Sequence, residues 1–276
     1  MEAIEAARKV MAQAQALIVA AGAGMGVDSG LPDFRGNEGF WHNYPIARRL
    51  GLSFVDLANP RWFDENPQLA WAFYGHRLQL YRQTEPHAGF QLLLEFGKRL
   101  PGGYFVFTSN VDGQFQKAGF DEQRMVEVHG SIHHLQCVKP CTANIWPAEA
   151  IQIELDMEHF KALEPLPRCR HCGALARPNI LMFNDWQWIS RRSDEQEARF
   201  KQWLAEIDRQ RFKLVIVEIG AGTAVPTVRI TAERLADWHE GTLIRINPRE
   251  SWVPEGGISI AGGARESLER IMQGMV

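Results

Sequence analysis

The stretch AAGAGMGVDSGLPDFRG, from Ala20 to Gly36, is the part of this sequence that decides its fold. An apolar run, Ala16 to Ala21, ends in Gly22-Ala23-Gly24, which is the pattern of a buried strand that runs into a glycine-rich turn. Such a turn, followed by a helix N-terminus, lets a phosphate group approach bare backbone. The common dinucleotide fingerprint G-x-G-x-x-G is not matched, because position 27 is Val. The stretch therefore predicts a phosphate-binding strand end of a less usual type.

The end of this stretch adds three kinds of side chain directly after a proline. Asp33, Phe34 and Arg35 offer a carboxylate, an aromatic face and a cation to one ligand. Glycines alone are a weak signal, since they are common in turns of every kind. The combination makes a ligand site at this strand end a more specific prediction.

Length and composition narrow the class of protein. The chain has 276 residues, is 45% apolar and carries a formal net charge of −3. This is enough for one large domain with a small insert, and it gives no indication of a nucleic-acid or membrane-surface partner. No apolar run approaches the roughly 20 residues that span a bilayer. Glu2 and Glu5 stand where a signal peptide has basic residues, so we expect a cytoplasmic protein.

Apolar segments that end in small or polar residues recur along the chain, and helical segments separate most of them. The predicted strands are Leu17–Ala21, Tyr104–Thr108, Met125–His129, Lys213–Ile219 and Thr242–Ile246. This alternation predicts a parallel α/β sheet, in which ligands bind beyond the carboxyl ends of the strands. The candidate groups that follow these ends are Gly22–Arg35, Ser109–Asp112, His129, Gly222–Thr223 and Asn247.

Four cysteines form two close pairs within a proline-rich segment over residues 131–180. The pairs are Cys137 with Cys141 and Cys169 with Cys172. In a cytosolic protein such pairs favour metal over disulfides, and four thiolates predict a tetrahedral structural zinc site. Two unrelated reduced pairs, or a redox pair at Cys169 and Cys172, remain as alternatives.

The motifs occur together in an order that resembles one known family. In chain order they are GAGMGVDSGLPDFRG, TSNVDGQFQKAG, VHGSIHHLQC, the two cysteine pairs, RPNILMF, GAGTAV and RINP. This set resembles the sirtuins, which are NAD-dependent protein lysine deacylases, over about residues 15–270. The resemblance implies a Rossmann-like parallel sheet domain with a small inserted zinc-binding domain and a helical insert next to the cofactor loop. The implied segments are 1–36, 86–130 and 181–276 for the sheet domain, 37–85 for the helical insert and 131–180 for the zinc module.

The resemblance also implies which residues bind NAD and which take part in catalysis. The cofactor residues would be Gly22, Ala23, Gly24, Asp33, Phe34, Arg35, Ser109, Asn110, Asp112, His129, Gly222, Thr223, Ala224, Asn247 and Ala264. Phe34 would shield the nicotinamide ribose, while Asn110 and Asp112 would hold nicotinamide and the ribose. His129 would be the general base, with Asn110 and Asp112 completing the catalytic set. The metal ligands would be Cys137, Cys141, Cys169 and Cys172.

The implied chemistry needs one base and no nucleophilic side chain. An acyl-lysine carbonyl oxygen is a weak nucleophile, so it must be held in line and away from water. A neutral imidazole can take a proton from a ribose hydroxyl, and His129 suits this role. The products would be free lysine, nicotinamide and O-acyl-ADP-ribose. The structural alternatives are a loop histidine at position 129, a capping turn over 110–112, an ion pair at Arg35 and a helix cap at Thr223.

The sequence departs from the family pattern at positions that affect the cofactor and the acceptor. Ser109 stands where Gln is usual, and Gly26 and Ala224 each stand where Ser is common, which puts NAD affinity in question. Asn184-Asp185 replaces Gly-Glu and is followed by Trp186-Gln187-Trp188. This segment would form one wall of the acyl-lysine tunnel and pair with the substrate backbone as a strand. The predicted substrate residues next to it are Ile180, Met182 and Phe183.

Two further residues bear on the choice of acyl group. Tyr74 and Arg77 resemble the Tyr-x-x-Arg pair of sirtuins that remove succinyl, malonyl or glutaryl groups. Positions i and i+3 share a helix face, so a phenol and a guanidinium there could grip a carboxylate. In the alternative, Tyr74 packs in the core and Arg77 pairs with an acidic neighbour.

Three other functions are compatible with the same cleft. A mono-ADP-ribosyltransferase would pass ADP-ribose to a protein side chain, and an NAD hydrolase would admit water past the short Ser109 side chain. A module that only binds ADP-ribose is the third, although it needs no base at position 129. For the leading interpretation, the expected partner is an acyl-lysine protein or peptide, with no nucleic acid and no membrane.

Overall fold

The fold is built around a sheet whose strands alternate with helices along the chain. The computed structural model describes residues 2–33 and 36–275. Its strands are β1 (Ala16–Ala21), β2 (Tyr104–Thr108), β3 (Met125–Glu127), β4 (Gly130–Cys137), β5 (Trp146–Pro147), β6 (Leu155–Asp156), β7 (Lys161–Ala162), β8 (Ala176–Ile180), β9 (Leu214–Ile219), β10 (Thr242–Ile246) and β11 (Ile258–Ile260). Its α-helices are α1 (Glu2–Ala12), α2 (Gly36–Asn43), α3 (Pro45–Arg49), α4 (Phe54–Leu57), α5 (Trp62–Glu65), α6 (Pro67–Gln83), α7 (Ala88–Arg99), α8 (Gln114–Lys117), α9 (Arg191–Gln210), α10 (Thr227–Trp238) and α11 (Ala264–Met272).

Six of the described strands form the central sheet, in the order β11-β10-β9-β1-β2-β3, with every neighbouring pair parallel. In the middle strand β1, Ile18 stands opposite Phe105 of β2 and Ile216 of β9. Parallel sheets are covered on both faces, which is why β1, β2 and β9 are buried along their whole length. The predicted Rossmann-like parallel sheet is confirmed. The sequence pattern does not predict β11, because three residues with a central serine are too short for a clear apolar signal.

Successive residues of β1 point to opposite faces of the sheet and enter two different cores. Leu17 and Val19 belong to a core that includes residues of α1, α7 and α11. Ile18 belongs to a core that includes residues of α9 and α10. Burying one such side chain contributes about 1.5–3 kcal/mol, so the two cores together hold the strand ends firmly in place.

The helical segment that comprises α2 to α6 lies between the first two sheet strands and is dense in aromatic residues. Phe40, Tyr44 and Phe73 are buried and pack edge-on or tilted against one another, with ring centroids 5.2–6.1 Å apart. The indole of Trp71 donates a hydrogen bond to the Ala176 carbonyl of β8, 3.0 Å away. The helical insert and the cysteine-bearing segment therefore share one hydrophobic core.

The cysteine-bearing segment begins where the chain leaves the sheet after β3. Strand β4 pairs antiparallel with β5 and β8 and starts at Gly130, whose φ is +75°. A Cβ at Gly130 would lie 2.1 Å from the Asn179 carbonyl oxygen, so only glycine fits this crossing. Because the chain turns here, β3 ends at Glu127 and not at His129 as the apolar pattern predicts. His129 lies in the turn that joins the two sheets.

The other predicted elements are close to the observed ones. Strands β2 and β10 match their predicted bounds, while β1 and β9 each differ from them by one residue. His87 is the N-cap of α7, where its side chain accepts a hydrogen bond from the Gly89 amide. In the described part of the chain, no helix combines the length and the apolar character needed to cross a membrane.

Candidate active site

Two glycine-rich loops meet at the carboxyl ends of β1 and β9. The Gly24 amide donates to the Gly220 carbonyl at 3.1 Å, and the Gly22 amide donates to Ile219 at 3.0 Å. A Cβ at Gly22 would lie 2.7 Å from the Ala221 Cα, and one at Gly220 would lie 2.4 Å from the Gly24 Cα. Gly220 also has a φ of +63°. Side chains are therefore excluded where the loops touch, which leaves bare backbone at this edge of the sheet.

A cavity of about 80 Å³ opens between these loops and the ends of β10 and β11. Residues that line it include Gly24, Asp33, Gly220, Pro248, Arg249 and Ala264. Arg249 lies 3.4 Å from the Asp33 carboxylate, which ties the loop after β1 to the loop after β10. Three predicted cofactor residues (Gly24, Asp33 and Ala264) are thus brought together around one space. Ala23 is exposed in the 3₁₀ turn Ala23–Ser29 that follows β1, and Phe34 and Arg35 lie outside the described residues.

Asn110 joins the end of β2 to the first glycine loop. Its side-chain amide donates to the Gly22 carbonyl at 3.0 Å, and its backbone amide donates to the Thr108 hydroxyl at 3.0 Å. The preceding Ser109 continues the strand, since its amide donates to Ala21 at 3.2 Å. Because this hydrogen bond fixes the orientation of the buried Asn110 side chain, its carbonyl oxygen can accept a hydrogen bond from a ligand.

Asp112 is a buried carboxyl group two residues further on. Burial raises its pKa to about 6, and the nearby charge of Glu127 acts in the same direction, while Arg77 opposes them. Its Oδ1 accepts a hydrogen bond from the Gln114 amide at 2.9 Å, which is the turn-forming contact expected of a structural aspartate. With a pKa of about 6, the carboxyl group is mostly ionised near pH 7 and becomes protonated on mild acidification, so it can accept a proton in this site.

His129 lies between the sheet and the small module, mostly buried. Burial lowers the pKa of its imidazole, and a hydrogen bond to the backbone of Ser109 partly opposes this. The Leu181 amide donates to the His129 carbonyl at 3.0 Å, so the segment after β8 begins directly beside the histidine. A neutral imidazole with one nitrogen engaged by backbone leaves its other nitrogen as a proton acceptor.

The predicted substrate residues follow β8. Ile180 ends the strand and Met182 is buried behind it. Phe183 donates its amide to the Ala58 carbonyl at 2.9 Å and packs edge-on against Phe54 at 6.2 Å. These contacts join the segment after β8 to α4 of the helical insert.

A buried ion pair that the sequence analysis missed holds this same segment. Arg177 of β8 donates to the Asp185 carboxylate, and both side chains are almost fully enclosed. Asp185 also accepts from the backbone amides of Met182 and Gln187, at 3.3 and 3.1 Å. The opposite charges of Arg177 and Asp185 were the available signal in the sequence. Only the fold shows that the turn brings these two side chains together.

Tyr74 and Arg77 lie on the buried face of α6, as the i, i+3 spacing predicts. Arg77 donates from Nε and Nη2 to the Tyr81 hydroxyl at 3.0 and 2.9 Å, and its guanidinium lies 5.2 Å from the Phe73 ring centre. Burial raises the pKa of the Tyr74 phenol, whose hydroxyl has no hydrogen-bond partner among the described residues. The sequence analysis missed Tyr81, although its i+4 spacing from Arg77 was a usable signal.

The loops after β9 and β10 carry the remaining predicted cofactor residues. Asn247 donates to the Ala221 carbonyl at 2.8 Å, and its Oδ1 accepts from the amides of Arg249 and Glu250. The Thr223 hydroxyl and amide both donate to the Glu250 carboxylate. Gly222 and Ala224 flank Thr223 in the sequence, and the N-cap of α10 is Pro226, so Thr223 does not cap that helix. The sequence analysis did not single out Glu250.

The four cysteine sulfurs form one cluster, all within 4.8 Å of one another. Contacts cross between the sequence pairs: Cys137 lies 3.7 Å from Cys172, and Cys141 lies 3.7 Å from Cys169. Four sulfurs bound to tetrahedral zinc at about 2.3 Å are about 3.8 Å apart, so the donor set and its spacing fit this ion. The crossed contacts argue against two unrelated pairs.

Comparison with known proteins places the chain among relatives of one kind. The profile of the Sir2 family matches residues 22–205. The "NAD-dependent protein deacylase" of Pyrococcus abyssi is 31% identical over 98% of this chain and 96% of its own length. That of Thermus thermophilus is 29% identical, with coverage of 99% and 95%.

Solved structures agree with this comparison at the level of the fold. A mutant Sir2 homologue in complex with 2'-O-acetyl ADP ribose superposes with a TM-score of 0.70 at 25% identity, covering 98% of this chain and 95% of that one. A Sir2 protein bound to acetylated peptide gives a TM-score of 0.67 at 18% identity, with coverage of 96% and 95%.

Proposed function

We propose that this chain, which belongs to the Sir2 family, is an NAD-dependent protein lysine deacylase that transfers the acyl group to ADP-ribose and releases nicotinamide. The observation that carries the proposal is the meeting of His129, Asn110 and the two glycine loops at one edge of the sheet. The Asn110 amide reaches Gly22, and the His129 ring reaches the backbone of the adjacent Ser109. Hydrogen bonds thereby connect the proposed base, His129, through Ser109 and Asn110 to the first glycine loop.

The residues of this edge fit NAD. At Gly22 and Gly220 the contact between the two loops leaves no room for a Cβ, so a pyrophosphate can approach the backbone of this edge closely. The cavity beside the loops is lined by residues of four strand ends. We assign Gly22, Ala23 and Gly24 to the pyrophosphate, and Gly222, Thr223 and Asn247 to phosphate and ribose. Ala224 and Ala264 would border the adenosine end, and Asp33, Phe34 and Arg35 would belong to the cofactor loop. When bound, NAD supplies the ADP-ribosyl group that accepts the acyl group.

The catalytic roles follow from the burial of the side chains. His129 stays neutral near pH 7 because burial lowers its pKa, so its free ring nitrogen can take a proton from a ribose hydroxyl. Asn110 orients the nicotinamide end through its fixed amide. Asp112, whose buried carboxyl group has its pKa raised to about 6, offers a hydrogen-bond acceptor to the nicotinamide and the ribose.

We assign the acyl-lysine side chain to the space bordered by Ile180, Met182 and Phe183, with Tyr74 and Arg77 at its inner end. A buried guanidinium surrounded by aromatic rings favours an acyl group that ends in a carboxylate, such as succinyl or malonyl. The Tyr74 hydroxyl adds a second donor for that carboxylate. The proposed partner is therefore an acyl-lysine protein or peptide. Zinc at the four cysteines would be structural, because its thiolates leave no open position.

The decisive test measures nicotinamide release from NAD by the purified chain, with and without acetyl- and succinyl-lysine peptides, and identifies products by mass spectrometry. We expect release only with an acyl peptide, together with O-acyl-ADP-ribose. His129→Ala should lower the rate by about 10²–10⁴-fold, since it removes the general base. Release without peptide that yields ADP-ribose would instead identify an NAD hydrolase, and a modified protein would identify an ADP-ribosyltransferase.

A further inference from the structure

Trp186 is the most exposed large apolar side chain of the described residues. Its relative exposure is 95%, against 69% for Trp238 and Trp252. Two residues further on, Trp188 is partly buried and its Nε1 atom is enclosed. An indole left in water forgoes the favourable burial of its apolar surface, so this exposure has no benefit for the folded chain itself.

The segment that displays Trp186 is tethered on both sides of the indole. On one side, the enclosed Asp185 carboxylate is held by Arg177 and by the amide of Met182. On the other side, Gln136 donates to the Gln187 carbonyl at 2.8 Å and accepts from the Ile189 amide at 3.0 Å. The backbone around Trp186 is thus fixed, so a partner that binds the indole has little chain entropy to restrict.

The same segment starts at the proposed active site. Its first residue, Leu181, donates its amide to the His129 carbonyl and is itself 37% exposed. At Asn184 the backbone turns sharply, with a φ of +58°. Leu181 and Trp186 are therefore the two exposed large apolar side chains of the segment 181–188 that, in our proposed function, faces the substrate backbone.

We propose that Trp186, with Leu181, selects acyl-lysine substrates that carry an apolar or aromatic side chain directly next to the acyl-lysine. This inference rests on the proposed function and adds a preference for the residues that flank the acyl-lysine in the peptide. In an extended peptide successive side chains point in opposite directions, so when the acyl-lysine enters the tunnel its immediate neighbours point outward. An exposed indole on a fixed loop suits such a side chain, since aromatic rings form strong anchors in interfaces.

The test compares two acetyl-lysine peptides that differ only in the residues on both sides of the acyl-lysine, Phe in one and Ser in the other. For the unaltered chain we expect kcat/KM to be about tenfold higher for the Phe peptide. Trp186→Ala should reduce this ratio to about twofold or less, mainly through KM for the peptide, with KM for NAD unchanged. Trp186→Phe should retain most of the preference.

Trp238→Ala is the matched control. Trp238 ends α10, a helix that leads from the carboxyl end of β9 back to the start of β10, so it lies at the opposite edge of the sheet. The inference is overturned if Trp186→Ala leaves the ratio of kcat/KM between the Phe and Ser peptides unchanged. It is also overturned if Trp238→Ala lowers this ratio as much as Trp186→Ala does. Calorimetric titration with the Phe peptide measures binding independently of turnover. A lower affinity of Trp186→Ala than of the unaltered chain supports the inference, and equal affinities of the two contradict it. Lack of deacylation of any peptide would instead contradict the proposed function.

Discussion

At the scale of single residues, burial determines which protonation state each candidate group has. The pKa of His129 is lowered and that of Asp112 is raised to about 6, in both cases chiefly because burial disfavours the charged form. The two shifts have opposite directions because an imidazole is charged when protonated and a carboxyl group when deprotonated. The histidine therefore becomes a base at neutral pH without a dedicated charged partner.

This shift predicts the pH dependence of deacylation. The reaction needs neutral His129, and a pKa below the usual value of about 6.5 extends the neutral form to lower pH. We expect kcat/KM for the acyl peptide to be flat near pH 7 and to fall on acidification, with the midpoint below 6.5. A pH–rate profile at saturating NAD measures it, and Asp112→Asn separates the titration of that carboxyl group. A midpoint at or above 7 would contradict the assignment.

The environment of Arg77 predicts the preference for the acyl group. Because its guanidinium is buried and oriented by the Tyr81 hydroxyl, it can form a bidentate contact with a terminal carboxylate. We expect Arg77→Met to lower the rate of desuccinylation by about 10²-fold or more, while deacetylation stays within about threefold.

Both reactions are measured on the same preparation, so that loss of folded protein affects them equally. Tyr81→Phe serves as the milder variant, because it keeps the charge and removes only the hydroxyl that orients it. If deacetylation and desuccinylation fall by the same factor, Arg77 has a structural role.

At the scale of elements, the proposed active site lies on short segments that follow strands, and a buried side chain holds each segment by a hydrogen bond or an ion pair. Asn110 fixes the end of β2, Asn247 fixes the end of β10, and Arg177 fixes the segment after β8. Irregular backbone costs conformational entropy to order, and buried hydrogen bonds of this kind offset that cost. Strand ends are thus rigid where ligand groups must be positioned.

The cysteine cluster allows a prediction at this scale. Four sulfurs at zinc-compatible spacing join the end of β4, which carries Cys137, to the segment before β8, which carries Cys169 and Cys172. Both strands contribute to the core shared with the helical insert. We expect about one zinc ion per chain by mass spectrometry of the metal content. Cys172→Ser should lose the ion and lower the melting temperature, since binding energy of structural zinc is folding energy.

His171→Ala is the control for the zinc prediction. His171 lies 3.6 Å from Cys141, yet four sulfurs already complete a tetrahedral shell, so this variant should keep its zinc. Zinc loss from His171→Ala would show that the histidine is a ligand. Purified chain without zinc and with full thermal stability would contradict the site.

At the scale of the whole molecule, one buried ionic network joins the sheet to the cofactor loops. Glu218 of β9 pairs with Arg245 of β10, and both side chains are fully buried. Arg245 and Arg229 also donate to backbone carbonyls of the loop that contains Glu250. Removing one partner of a buried pair costs about 3–5 kcal/mol, so this network couples the stability of the sheet to the position of that loop.

The sequence by itself determined the parallel sheet, the cysteine site and the family. Continuous apolar runs such as Leu17–Ala21 can be satisfied only by burial, and metal ligands and glycine turns are recognisable by residue type and spacing alone. The same kind of pattern predicts Phe34 and Arg35 as cofactor residues, and these two stay a prediction because they lie outside the described residues. Local pattern sufficed because each of these features is short in sequence.

Tertiary structure alone decided how the site is held and which charges it contains. The partners Arg177 with Asp185, Thr223 with Glu250 and Asn110 with Gly22 are separated by 8, 27 and 88 positions. The lowered pKa of His129 and the raised pKa of Asp112 come from burial by elements distant in sequence. The physical reason is that desolvation and hydrogen bonding depend on which surfaces meet in space, and residue spacing along the chain does not specify this.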